Sequence, residues 1–299
     1  MAMKPFENQL IGESPELKAL LRTAQIAAIT DVPIMICGES GSGKSELAKA
    51  IHGHSPKRRG PLVELSSATL DIAALEQGWL QAESGTLVLD DLEELPGATQ
   101  AALLERLDQQ AAGERRQHTG DNRGHLRLIV TCTQDPHEAV QRGALRDDLY
   151  YRLKVVPLEL PRLRDRLGDA TLLFRHFVLE FARRYERKQI YLTKRAEQAL
   201  ARYPWPGNVR ELRNLCERLT ILFDGGEIDT TNLPGEFRTP PARRPRFELP
   251  EGGLSLDELE RDMIQQALAR TEGNRSRAAR LLGITRDTLL YRLKKYALR

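Results

Sequence analysis

The stretch VPIMICGESGSGKSELAKAIHG, residues 32–53, decides how this chain folds. A short, continuously apolar run stops at Gly38, eight residues then follow the pattern GxxxxGK(S/T), and an amphipathic helical run begins at once. Glycine accepts the backbone conformations that let a turn curl with successive N–H groups pointing at phosphate oxygens. The helix N-terminus behind the turn adds unpaired N–H groups and a partial positive charge. In this frame Gly38, Glu39, Ser40, Gly41, Ser42, Gly43, Lys44 and Ser45 form a cradle for a nucleoside triphosphate, read here as ATP. Lys44 supplies a point charge, and Ser45 offers its hydroxyl to Mg2+.

Further along the chain, GTLVLDD (85–91) and LRLIVTC (126–132) repeat the apolar strand pattern, with helical stretches between them. Such runs mark parallel strands covered on both faces, and their alternation with helices predicts a doubly wound α/β unit over residues 1–164. Asp90 ends the first of these strands and is placed to hold Mg2+ through water, and Asp91 beside it is placed to polarise an attacking water. Upstream, Ser14 and Pro15 open a helix over about 15–28, a capping serine followed by proline at the first helical position. From 165 to 235 the strand signals stop and helical periodicity takes over, which predicts a helical subdomain. Residues 236–253, EFRTPPARRPRFELPEGG, are rich in proline, glycine and arginine and read as a linker.

Residues 254–299 predict a separate all-α domain. A helix over about 255–271 is followed by a break at Glu272, Gly273 and Asn274, a short helix carrying Ala278, Ala279 and Leu282, a turn at Gly283 and a last helix from near Thr285. This is the spacing of a helix-turn-helix, in which the last helix enters the major groove of double-stranded DNA. Between Asn274 and Arg299 eight basic residues stand against one acid, so an acidic polymer is the expected partner of this end.

The bulk numbers bound the rest. A chain of 299 residues exceeds what one hydrophobic core supports, and 40% hydrophobic with 29% charged residues places it among globular proteins. No apolar run approaches the roughly 20 residues that span a bilayer, and the N-terminus lacks the pattern of a secretory signal, so the expectation is a cytoplasmic chain with no membrane partner. Cys37, Cys132 and Cys216 are far apart and form no CxxC pair, which predicts buried thiols rather than disulfides or a zinc site. His52 and His54, two apart on a helix, do not face each other and predict no metal site.

In order along the chain, LIGESPELK, GESGSGKS, GTLVLDDLEELP, LRDDLYYRLKVVPLELPRLRDR (145–166) and YPWPGNVREL (203–212) resemble the AAA+ domain of bacterial enhancer-binding proteins, activators of sigma-54 RNA polymerase. The resemblance runs from Leu10 to Phe237, and GNRSRAARLLGITRDTL is similar to a Fis-type helix-turn-helix. It implies an AAA+ parallel sheet flanked by helices, a helical lid and the all-α DNA-reading domain. By position it makes Arg146 and Arg152 arginine fingers that reach the γ-phosphate in a neighbouring subunit, and Arg210 a contact to phosphates in its own. An arginine supplied across an interface ties catalysis to assembly, so a homo-oligomer is implied, a ring through the AAA+ domain and a dimer through Leu256, Leu259, Met263 and Leu268 of the C-terminal domain. On the same match Arg286 and Thr288 read base edges, while Asn274, Ser276, Arg277, Thr285, Arg292 and Lys295 contact phosphates. The residues alone leave two plainer readings open: Arg146 and Arg152 pairing with Asp147 and Asp148 on a surface helix, and Asn208 capping the helix after the tight PWPGN turn.

The sequence departs from the family in three places. VELSSATLDIAALEQGWLQAESGTLVLDD holds no GAFTGA loop and is too short for one. Asp91 replaces a glutamate, one methylene longer, and Ser66 and Thr133 replace asparagines. The expectation is retained ATP binding with slow or absent hydrolysis, and a DNA-bound regulator that does not remodel sigma-54 polymerase but acts as a repressor or as a regulator of another polymerase form, with RNA polymerase or another regulator as its partner. The alternative is a working AAA+ ATPase that drives initiation or remodels another client. Because the resemblance starts near the first residue, no receiver or ligand-sensing domain is expected in front.

Overall fold

The computed structural model describes residues 10–116, 125–133, 135–238, 255–271 and 273–296. Residues 239–253 of the expected linker, Glu272 of the expected helix break and Arg299 of the basic end lie outside the described residues. The chain divides into two compact units, Met1–Pro241 and Ala242–Arg299.

In the first unit α1 (Pro15–Ala28) leads to β1 (Ile34–Cys37), and the phosphate loop joins β1 to α2 (Lys44–Gly53). Then follow β2 (Leu62–Ser66), α3 (Ile72–Gln81), β3 (Thr86–Asp90), α4 (Gly97–Arg116), β4 (Arg127–Cys132), α5 (Pro136–Gln141), α6 (Asp147–Leu153) and β5 (Val156–Glu159). The five strands are parallel in the order β2-β3-β4-β1-β5, as the alternation of strand and helix signals predicts. Because side chains alternate along a strand, each strand feeds both faces. Ile34, Ile36, Val88, Ile129 and Leu158 pack with Leu17, Leu21, Leu47 and Ile51 of α1 and α2. On the opposite face Met35, Leu87, Leu89, Leu128, Val130 and Cys132 pack with Leu75, Leu103 and Leu149 from α3, α4 and α6. The result is a three-layer sandwich whose loops converge at the carboxyl ends of the strands, where open α/β sheets bind ligands.

Ser14 stands at the N-cap of α1, yet its hydroxyl makes no capping bond. The N–H groups of Glu13 and Ser14 instead reach the buried Asp169 carboxylate at 2.7 and 3.2 Å, and Arg166 pairs with that carboxylate while donating to the Ile11 carbonyl. The entry to α1 is thus held by residues some 155 positions downstream rather than by its local cap.

The rest of the first unit comprises α7 (Asp169–Arg184), β6 (Ile190–Leu192), α8 (Lys194–Arg202), α9 (Asn208–Leu222), β7 (Gly226–Ile228) and α10 (Gly235–Arg238). Helices dominate, with their own core around Phe174, Phe181, Leu200, Trp205 and Leu219. The expectation that strands stop after 165 misses the short parallel pair β6–β7, which ties the segment before α8 to the segment after α9.

The second unit holds α11 (Leu256–Arg270), α12 (Arg275–Leu282) and α13 (Arg286–Lys295). Asn274 and Thr285 cap α12 and α13 by accepting from the N–H groups of Arg277 and Thr288, and Gly283 takes a left-handed φ of 69° in the turn. Ala278, Ala279, Ile264, Ala267, Leu289 and Leu293 form the core, the alanines letting the helices close up.

Candidate functional site

Residues 38–45 curl around an open space. Gly41 and Gly43 hold φ of 75° and 112°, which favour glycine, and a Cβ on Gly41 would overlap the Gly207 carbonyl oxygen. The Ser42 hydroxyl is buried without a hydrogen-bond partner in the protein, a polar atom whose partner the cradle leaves to a ligand. Lys44 is held inside: its Nζ donates to the Gly38 carbonyl at 2.8 Å and to the Thr133 hydroxyl at 2.6 Å, and stands 4.0 Å from Asp91.

Two threonines at the end of β4 organise the acids at the end of β3. The Thr131 hydroxyl donates to Asp90 Oδ1 and accepts from the Asp91 N–H, both at 3.0 Å. The Thr133 hydroxyl donates to Asp91 Oδ1 at 2.6 Å, and the Thr133 N–H donates to Glu93 at 2.7 Å. Asp91 sits in the left-handed region at φ 56°, which turns its carboxylate toward Thr133. Ser45 and Asp90 face the same cavity and offer hydroxyl and carboxylate oxygen, the hard donors that Mg2+ prefers. Among the described residues no cluster of three or more His, Cys, Asp or Glu side chains forms a metal cage of its own, and His52 instead contacts the Thr86 hydroxyl.

The lid closes the other side. Asn208 begins α9 at φ 51° and is fully buried. It does not cap α9: its side-chain oxygen accepts the Leu163 N–H at 2.9 Å, and its amide donates to Glu39 Oε2 at 3.1 Å and the Ser40 carbonyl at 3.2 Å. Glu39 also takes Arg164 and Arg162, and the Arg164 guanidinium, with Asn208 assisting, holds its carboxyl below the usual value. Arg210 donates to the Ser40 hydroxyl at 3.0 Å, at the lip of the cradle. The half-open cavity measures about 790 Å3 and is lined by the phosphate loop together with Leu10, Ile11, Leu173, His176, Phe177 and Val209. The sequence gives Asn208 only a capping role and does not single out Arg164, Thr131 or the Arg166–Asp169 pair, whose partners are distant in the chain or buried.

Arg146 and Arg152 lie away from this cavity. Arg146 forms a two-pronged pair with Asp148, the plainer of the two readings of its sequence, and Arg152 stands 3.6 Å from Asp108 of α4.

In the second unit Asn274, Ser276, Arg277, Thr285 and Arg286 are exposed and Thr288 half-buried around the start of α12 and α13. Arg292 and Lys295 are placed differently: Arg292 pairs with Glu260 of α11, and Lys295 with Asp257 at 2.8 Å, with Tyr296 bonded to both acids. The Asp257 carboxyl is lowered by Lys295, and the Lys295 ammonium correspondingly raised. Leu256 and Met263 are exposed on α11, while Leu259 and Leu268 are half-buried.

Fold and cavity together define a P-loop nucleotide-binding module of the AAA+ kind joined to a helix-turn-helix. Residues 10–78 and 73–159 match the sigma-54 interaction domain, 164–248 the AAA+ ATPase lid domain, and 255–296 the Fis family of bacterial regulatory proteins. The chain is 35% identical over 311 residues to the transcriptional regulatory protein ZraR of Klebsiella oxytoca, covering 96% of this chain and 68% of that protein. It is 36% identical over 308 residues to the alginate biosynthesis transcriptional regulatory protein AlgB of Pseudomonas putida, covering 97% and 67%. The crystal structure of NtrX from Brucella abortus in complex with ATP superposes with a TM-score of 0.67 at 30% identity, over 96% of this chain and 68% of that one. The Thermotoga maritima RuvB branch migration motor, at 17% identity, 99% and 90% coverage and a TM-score of 0.55, shares the fold. The chain belongs to the family of bacterial transcription regulators that carry a sigma-54 interaction AAA+ domain and a Fis-type DNA-binding domain. It spans about two thirds of the length of ZraR and AlgB.

Proposed function

We propose that this chain is a cytoplasmic DNA-bound regulator that holds ATP with Mg2+ in the cavity, hydrolyses it slowly or not at all, and does not remodel sigma-54 polymerase. The observation that carries this reading is Asp91. Its carboxylate is one methylene shorter than the family's glutamate, is turned toward β4 by a left-handed backbone, and is engaged by the Thr133 hydroxyl beside Lys44. A displacement of about 1 Å at a reacting centre costs on the order of 10²-fold in rate.

The phosphate-loop N–H groups and Lys44 bind the triphosphate, and Arg210 adds a charge from the lid. The Ser45 hydroxyl and the Asp90 carboxylate, by way of water, would hold Mg2+, which would supply positive charge against the triphosphate. The apolar wall of Ile11, Leu173 and Phe177 suits the face of the base. The connection from Ser66 to Thr86 is largely taken up by the ten-residue α3, whose Leu75 and Gly78 pack inward. That supports the reading that the GAFTGA loop is absent. In the second unit Arg286 and Thr288 read base edges, and Asn274, Ser276, Arg277 and Thr285 contact phosphates. A homodimer forms through the exposed Leu256 and Met263 of α11.

A working ATPase ring is the second reading, favoured by the placement of Arg146 and Arg152 outside their own cavity, where a neighbouring subunit's nucleotide can meet them. Turnover separates the two. Slow hydrolysis with tight ATP binding is expected; a rate of about 1 s⁻¹ or faster that Asp91→Ala abolishes would show a functional motor. Undetectable ATP binding by calorimetry with Mg2+ present would reduce the α/β unit to a scaffold.

A further inference from the structure

Cys37 and Cys132 are 95 positions apart in sequence yet are the last residues of the adjacent parallel strands β1 and β4, directly paired in register. Paired residues in a parallel ladder project to the same face, and both belong to the core on the α3, α4 and α6 side. Neighbouring strands lie about 4.7–4.9 Å apart, inside the roughly 4.4–6.8 Å Cα separation that a disulfide spans. Cys132 is buried and Cys37 only partly so, and the third thiol, Cys216, is buried in the lid core, remote in the fold from both.

We propose that Cys37 and Cys132 are a dithiol site that hydrogen peroxide converts to a disulfide, so that oxidation acts on the nucleotide cradle from beneath. The Cys132 thiol hydrogen-bonds to Cys37, which lowers the proton affinity of Cys37 and raises that of Cys132. Cys37 is therefore the attacking sulfur, being both the better thiolate and the more accessible. Its thiolate breaks the peroxide O–O bond and becomes a sulfenic acid, and the oxygen that leaves takes up the thiol proton as water. The Cys132 sulfur then displaces the sulfenic hydroxyl, which departs with the Cys132 proton as a second water while the S–S bond forms. Two thiols lose two electrons and two protons, and the peroxide is reduced to two waters.

The bond falls where it has a consequence. Gly38, the first residue of the cradle, follows Cys37 and donates its N–H to the Cys132 carbonyl at 3.0 Å. Thr133, which follows Cys132, holds Lys44 and Asp91. Drawing the sulfurs from contact to a covalent length of about 2.05 Å shifts the residues on either side of the phosphate site together. The inference rests on the nucleotide reading above for its effect, though not for the bond itself.

The test treats the full-length chain with hydrogen peroxide, alkylates free thiols in denaturant and maps the peptides by mass. The expected product links the Cys37 and Cys132 peptides with the loss of two hydrogens, leaves Cys216 alkylated, and reverts with dithiothreitol. Titration with ATP and Mg2+ is expected to show about tenfold weaker binding after oxidation, equivalent to one lost charge-assisted hydrogen bond. Neither the link nor a peroxide-dependent shift should appear in Cys37→Ser, or in Cys37→Ala should serine disturb the core. Peroxide that leaves both thiols alkylatable, oxidation that stops at a sulfinic acid on Cys37, or a linked protein of unchanged affinity would each overturn the proposal. If the reduced protein binds no ATP, the nucleotide reading is what fails, and the mass change still decides the dithiol.

Discussion

Asn208 is the side chain on which the cradle and the lid both depend, and removing it makes a quantitative test of how they are joined. Asn208→Ala strips the acceptor from the Leu163 N–H, which belongs to a residue only 2% exposed, and the donor from Glu39 and the Ser40 carbonyl. An unpaired buried N–H costs about 1–3 kcal/mol, and each lost hydrogen bond is worth about 1 kcal/mol. The backbone at φ 51° adds about 1–2 kcal/mol for alanine, because asparagine tolerates the left-handed region better. A destabilisation of about 4–7 kcal/mol follows. For a unit of this size roughly 2–4 °C of Tm accompanies each kcal/mol, so the expected loss is on the order of 10 °C. Scanning calorimetry on the full chain reads it as a drop in the transition of the larger unit. Asn208→Gly accepts the backbone conformation and should recover about 1 kcal/mol of stability, yet lose ATP affinity as fully as Asn208→Ala, since both release Glu39 and Ser40. A Tm within about 2 °C of the parent, with unchanged ATP affinity, would refute the idea that this amide brackets the two parts.

The remaining expectations concern charge. Asp169→Ala leaves Arg166 buried without its partner and frees the N–H groups of Glu13 and Ser14; a loss of about 3–5 kcal/mol in denaturant unfolding is expected, and a loss below 1 kcal/mol would show that water replaces the carboxylate. Arg286→Ala should weaken binding to a specific site by about 1–3 kcal/mol and relax one base position, whereas Lys295→Ala should barely alter binding by anisotropy because Asp257 and Tyr296 already hold its ammonium. An equal loss on every DNA sequence for Lys295→Ala would assign it to phosphate instead.

What the sequence disclosed follows from how local each signal is. The cradle is written within eight consecutive residues whose spacing is itself the mechanism, and the sheet shows through in uninterrupted apolar runs that only a doubly covered strand requires. The strands β6 and β7 escaped because three residues are too few for a period, and one of them, Tyr191, is exposed. Asn208 reads as a cap because its neighbours Pro206 and Gly207 make a turn; its actual partner, Glu39, is 169 positions away. Arg166 and Asp169 have the spacing of an ordinary surface pair on a helix, yet both are buried. Arg292 and Lys295 look free for DNA when the last helix is read alone, and only the packing of α11 brings Glu260 and Asp257 against them.

The Thr133 hydroxyl carries a single proton, whereas the side-chain amide of an asparagine carries two. That proton is committed to Asp91, and the oxygen's lone pairs face Lys44. An amide could serve a phosphate oxygen and an acid at once, but a hydroxyl must choose between them. With its proton on Asp91 and its oxygen toward Lys44, Thr133 ties an acid and a base together at the carboxyl end of the sheet and has no second proton left for a third group.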